Sequence, residues 1–234
     1  MHKKIRQYNL KANDSINFDY MEILDQSIAA EVADKLLEIQ AIRLQPDKPF
    51  TWASGWKSPI YCDNRLSLSF PEVRNMIKNK LVESVTHFFQ NVEAIAGVAT
   101  AGIPQGALIA NDLGLPFIYV RSKPKGHGME NMIEGKVTPG QKVVVVEDLV
   151  STGGSSLKAA EDLKNAGFEV LGMVAIFSYG FEVAAQNFKN AGIKLVCLSH
   201  YDALLPIAVK RNYISSEMLD SLSEWRKDPG SWGQ

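Results

Sequence analysis

The sequence predicts an α/β fold, with a central, mostly parallel sheet flanked by helices and a small N-terminal segment lying outside that sheet. Short, fully apolar runs recur at 94–99, 117–120, 143–146, 170–177 and 195–198, and strands that are apolar on both faces belong to parallel sheets covered on both sides. Between them lie longer stretches of helical period, the alternation that parallel strands require for their crossovers. The periphery is marked by 50–68, rich in Gly, Ser, Pro and aromatics, which reads as short strands and turns outside the main core.

Taken in order, Ile23, Leu24, Ile28, Val32, Leu36 and Leu37 recur at helical spacing and predict a first helix. Residues 1–20 carry little periodicity and are expected to form a loosely held extension. This leaves 21–234 as one domain, its peripheral segment mainly 39–68 and its core about 70–200. In the core, 71–89 and 103–113 are helical in period around the run at 94–99, and 157–166 and 182–191 supply the helices between the later strands. The polar Pro/Gly/Trp tail after Trp225 reads as a peripheral end.

A chain of 234 residues with 46% hydrophobic content is long enough for one well-buried core. With 22% charged residues and a net charge of −1, it generates no overall positive field to recruit nucleic acid. No stretch approaches the roughly 18 apolar residues of a membrane helix. Cys62 and Cys197 are too few and too far apart for a disulfide framework or a metal knuckle. Polar Asn and Asp follow Lys3, Lys4 and Arg6, where a secretion signal would place its apolar segment. The expectation is a cytoplasmic protein with small-molecule partners.

In open α/β sheets ligands bind beyond the carboxyl ends of the strands. The most informative loop there follows four valines: Glu147, Asp148, Leu149, Val150, Ser151, Thr152, Gly153, Gly154 and Ser155, leading into a helix. Backbone N–H groups and hydroxyls at a helix start form an anion site suited to a monophosphate. The order is neither that of a Walker loop nor that of the dinucleotide fingerprint. Two carboxylates beside a polyphosphate would repel it, so the acidic pair is expected to face vicinal sugar hydroxyls while the loop holds a 5-phosphate on the same sugar. The alternative is that both acids only cap the following turn.

This run resembles the signature of the type I phosphoribosyltransferases, which bind 5-phosphoribosyl-1-pyrophosphate (PRPP). The resemblance implies that Glu147 and Asp148 hold the ribose hydroxyls, and that Ser151 to Ser155 wrap the 5-phosphate. It makes the whole stretch, with Leu149 and Val150, the candidate PRPP-binding segment.

Two further stretches extend the likeness. Residues 121–135 combine Arg121, Lys123, Lys125 and His127 with Gly and Pro hinges and resemble the catalytic loop of orotate phosphoribosyltransferases, which in that family closes over the neighbouring subunit's site. Arg121, Lys125 and His127 would then contact the diphosphate and, with Asp148, carry catalysis. The peripheral segment, with Ser54, Gly55, Ser58 and Pro59 and then Tyr61, Cys62, Asp63, Asn64 and Arg65, is similar to the hood of the same enzymes. Tyr61 and Ser151 become the candidate orotate contacts, and Lys57 or Arg65 could meet a carboxylate. The loop at 97–104 would admit pyrophosphate to backbone amides. Thr100 and Ala101 stand where some members have an aromatic residue and a lysine, and no arginine occurs near Ser178-Tyr179-Gly180, where some orotate enzymes place one.

The resemblance thus implies a type I phosphoribosyltransferase fold, Mg²⁺ held mainly by PRPP, and a homodimer with shared sites. The implied reaction is transfer of phosphoribosyl from PRPP to orotate, in pyrimidine synthesis. A purine phosphoribosyltransferase, differing only in the hood, and a PRPP-sensing regulator are the alternatives. No helix-turn-helix pattern supports the regulator.

Overall fold

The computed structural model describes residues 20–52, 55–123 and 132–233. Among these, seven strands form one sheet in the order β1-β11-β10-β9-β6-β7-β8. They are β1 (Met21–Ile23), β6 (Ala94–Val98), β7 (Phe117–Val120), β8 (Ile133–Glu134), β9 (Lys142–Val150), β10 (Glu169–Ser178) and β11 (Leu195–His200). All neighbouring pairs are parallel except β7 and β8. The helices are α1 (Gln26–Glu38), α2 (Pro71–Phe88), α3 (Gly102–Leu113), α4 (Gly154–Asn165), α5 (Glu182–Ala191), α6 (Tyr201–Lys210) and α7 (Leu219–Lys227). The small strands β2 (Ile42–Leu44), β3 (Phe50–Thr51), β4 (Lys57–Ser58) and β5 (Ile60–Cys62) form two separate antiparallel pairs, β2 with β5 and β3 with β4. This is the expected class, a mostly parallel sheet flanked by helices with a small hood.

Val143 to Val146 and Leu195 to Cys197 are completely buried, which is why these runs show no polar alternation. Close approach of α3 to the sheet depends on Gly102. A Cβ there would lie 2.2 Å from the carbonyl oxygen of Val146, so no other residue fits without moving the helix.

Three elements differ from expectation. The first helix begins at Gln26 rather than near Ile23, because Asp25 caps it, its Oδ1 accepting from the Ser27 amide at 2.7 Å. Met21–Ile23 instead forms an edge strand, paired in parallel with Leu195 to Cys197. β9 does not stop at Val146 but continues through the acids to Val150, held by β10 through the pairs Ala175 with Glu147, Phe177 with Leu149 and Ser178 with Val150.

The last helix also belongs to the core. Trp225 in α7 is fully buried, its ring 5.3 to 5.7 Å from those of Trp52, Tyr179, Phe181 and Tyr201. Its indole Nε1 donates to the Lys57 carbonyl at 3.2 Å, while Trp52 Nε1 donates to the Ile60 carbonyl at 3.3 Å. The hood and the last helix therefore close on one aromatic cluster.

Candidate active site

Past Val150 the chain turns through Ser151, Thr152 and Gly153 into α4. Gly153 adopts φ +81°, and a Cβ there would come 2.7 Å from the ring of Phe188, so glycine satisfies both the backbone and the packing. The Asn187 side-chain amide of α5 fixes the loop by donating to the Thr152 carbonyl at 2.9 Å. No side chain caps α4; Gly154 and Ser155 are exposed, Ser151 and Thr152 half-buried. The first amides of a helix without a side-chain cap, facing solvent, favour an anion. Leu149 is half-buried, whereas Val150 is fully buried with its carbonyl accepting from the Tyr179 amide at 3.2 Å.

Because β9 continues through the acids, Glu147 and Asp148 point to opposite faces of the sheet. Glu147 is only 6% exposed. Its carboxylate accepts from the Ser156 hydroxyl of α4 at 2.9 Å and from the Asp148 amide at 3.0 Å. Burial, together with the charge of Asp148, pushes the Glu147 carboxyl up to about 8, against those two hydrogen bonds. Its proton is therefore held to higher pH than that of an ordinary carboxyl. Asp148 is half-buried on the hood side. Burial raises its carboxyl as well, opposed by hydrogen bonding with Glu147 and by the charge of Arg65.

The hood is clasped directly to this residue. Asn64, 1% exposed at the start of a 3₁₀ turn (Asn64–Ser69), donates from Nδ2 to the Asp148 carbonyl at 2.7 Å. Its Oδ1 accepts from the Cys62 thiol at 3.3 Å, whose ionisation is pushed well up by burial and by Asp148 and Asp63. Arg65 forks onto Asp63, Nε to Oδ1 at 2.6 Å and Nη2 to Oδ2 at 2.9 Å, and holds the Asp63 carboxyl below its usual range. Tyr61 is 36% exposed, with the Arg43 guanidinium 4.9 Å from its ring centre and Phe50 5.6 Å away. Lys57 turns elsewhere, its Nζ donating to Thr51 Oγ1 at 2.9 Å.

Arg121 follows β7 and pairs through Nη1 with Glu134 Oε1 at 3.0 Å, across the base of the segment whose cations drew attention in the sequence. Lys125 and His127 lie outside the described residues, as does Ser54. The 97–104 loop joins β6 to α3, where a Cβ on Gly97 would meet the Gly102 carbonyl at 2.9 Å. Asp148, the α4 start and the hood are therefore brought together, while Arg121 is held by Glu134 and Glu147 is bonded to Ser156 of α4.

Among known families, the one described as phosphoribosyl transferase domain matches residues 68–196. The orotate phosphoribosyltransferase of Cytophaga hutchinsonii is 63% identical over 202 residues, which are 86% of this chain and 97% of that protein. The chain belongs to the orotate phosphoribosyltransferases. The Listeria monocytogenes member is 54% identical over 208 residues, 89% of this chain and 100% of its own. In three dimensions the orotate phosphoribosyltransferase of Aeropyrum pernix superposes with a TM-score of 0.68 at 30% identity, covering 79% of this chain and 99% of the other.

In this member of the orotate phosphoribosyltransferases, three residues to which the sequence assigned no role of their own hold the site together. Asn64 is bonded to Asp148, Ser156 to Glu147 and Asn187 to Thr152. Each is a single polar side chain, acting across 84, 9 and 35 residues respectively, and no sequence pattern reveals its partner.

Proposed function

We propose that the chain transfers the 5-phosphoribosyl group of PRPP to orotate in the cytoplasm, giving orotidine 5-phosphate and pyrophosphate, with roles divided as follows. The α4 start and residues 151–155 hold the 5-phosphate. Asp148 faces the ribose hydroxyls and the positive charge that develops on the sugar as pyrophosphate departs. Glu147, its proton held to higher pH than that of an ordinary carboxyl, sets the geometry of β9 against α4 and adds less negative charge beside a polyanion. The 97–104 loop meets the pyrophosphate, with Arg121, Lys125 and His127 as its counter-charges. The base lies under the hood near Tyr61 and Ser151. Orotate already carries negative charge, and alignment of the two substrates supplies much of the rate.

The observation that carries this reading is the half-buried Asp148 set one short loop before a helix start with no side-chain cap, its backbone clasped to the hood by Asn64. Among the described residues no cluster of three or more His, Cys, Asp or Glu is arranged around a cation. Mg²⁺ prefers oxygen ligands and keeps several waters, so a single carboxylate such as Asp148 suits a metal delivered on PRPP. When bound, the metal would help to neutralise the pyrophosphate. In a pyrophosphate-release assay with PRPP, Mg²⁺ and a panel of bases, orotate is expected to turn over rapidly and hypoxanthine not, and excess EDTA to abolish the signal. Turnover of hypoxanthine but not orotate would overturn the assignment, and full rates in EDTA would overturn the role of the metal.

The active form in this reading is a homodimer whose 121–134 segment serves the partner's site. Asp148→Asn and Lys125→Ala homodimers should each be nearly inactive, and coexpression should restore about a quarter of wild-type activity. Random pairing makes half of the dimers mixed, and each mixed dimer regains one of its two sites. Purified mixed dimers no better than their parents would show that the segment serves its own chain.

A further inference from the structure

Orotate differs from uracil by one carboxylate, and the proposed base site adjoins the sugar site that holds the carboxylate of Asp148. An anion admitted there without a counter-charge would face both repulsion and the loss of its hydration. β10 and the turn after it offer nothing: no Lys or Arg occurs from Glu169 through Phe181. Of the four hood cations, Lys48 lies in the connection between β2 and β3, and the Arg43 guanidinium rests on the rings of Phe50 and Tyr61. Lys57 is turned onto Thr51, and its own carbonyl is held by Trp225 of α7.

Arg65 stands differently. It directly follows Asn64, whose amide is bonded to the Asp148 backbone at 2.7 Å, so the clasp brings Arg65 to the same edge. Its charge bears on both Asp148, assigned to the sugar, and Tyr61, assigned to the base. Its side chain is 60% exposed, so a ligand can reach it. Asp63 occupies Nε and one hydrogen of Nη2. A guanidinium has five donors, so both hydrogens of Nη1 and one of Nη2 remain on an adjacent edge, in the fork that accepts a second carboxylate through two bonds.

We propose that Arg65, aimed by Asp63, binds the exocyclic carboxylate of orotate and sets the preference of the site for orotate over uracil. This rests on the functional reading above. The two can fail separately: absence of orotate turnover in the wild type would defeat that reading, whereas the comparison below addresses Arg65 alone in an enzyme that does turn orotate over.

The test is calorimetric titration of orotidine 5-phosphate and of uridine 5-phosphate, which lacks only the carboxylate, into wild type, Arg65→Gln and Arg65→Lys. The wild type is expected to bind orotidine 5-phosphate the more tightly. Arg65→Gln should weaken that nucleotide by about 10²-fold, the scale of a desolvated ion pair losing one partner, while uridine 5-phosphate changes by less than about threefold and the preference disappears. Arg65→Lys keeps the charge without the fork and should fall between. Equal weakening of both nucleotides would assign Arg65 to hood structure, and an unchanged preference would place the carboxylate elsewhere; either result overturns the proposal.

Discussion

Asp148→Asn is expected to lower kcat/KM for PRPP by about 10² or more, the scale of one lost electrostatic contact in a transition state, while the protein remains folded. Asparagine has the shape of aspartate, and the backbone carbonyl that receives Asn64 is untouched by the change. Burial already disfavours the ionised form at this position, so removing the charge is not expected to destabilise the fold. What disappears is a negative charge facing the sugar. Glu147→Gln is the matched control. Its carboxyl is pushed up by burial and by the charge of Asp148, so glutamine removes less charge there, and turnover should fall by less than in Asp148→Asn. Initial rates against PRPP, with melting curves for both variants, decide the matter. Near-normal turnover in Asp148→Asn, or a Glu147→Gln variant the more damaged of the two, would reverse the roles assigned to the pair.

The contrast between these adjacent acids also marks the limit of what the sequence displays. The valine run announced a buried strand, and the Gly/Ser/Thr loop after it announced an anion site, because both are local patterns. That the strand continues through Glu147 and Asp148 was hidden, since charged residues interrupt the apolar signal and only the register with Ala175 to Ser178 keeps the chain extended. Met21–Ile23 was likewise illegible as a strand. Its three residues have no pattern of their own, and its partners lie at Leu195 to Cys197. The candidate site was legible in its phosphate loop and in the hood's composition. The clasp from Asn64 to Asp148 was not, because it spans 84 residues and depends on one side-chain amide.

Trp225→Ala is expected to cost about 3–5 kcal/mol, the usual range for deleting a buried tryptophan, and so to lower Tm by roughly 6–20 °C for a domain of this size. The sequence around α7 is short and polar, yet Trp225 is fully buried and packs against four aromatic rings from the hood, the stretch after β10 and α6. Truncation opens a cavity that those large, flat rings cannot easily fill. It also removes the indole N–H that the Lys57 carbonyl accepts, leaving an acceptor at the hood with one partner fewer. Trp225→Phe separates the two losses, keeping most of the packing while deleting the hydrogen bond, and should cost nearer 1–2 kcal/mol. The hood borders the proposed base site and takes from Trp225 both a ring contact at Trp52 and the hydrogen bond at Lys57, so KM for orotate should rise more than KM for PRPP at temperatures where Trp225→Ala is still folded. A Trp225→Ala protein melting within about 2 °C of wild type would mean that the last helix is only laid against the domain. A melting loss with equal rises in both KM values would keep α7 in the core but separate it from the hood's grip on the base.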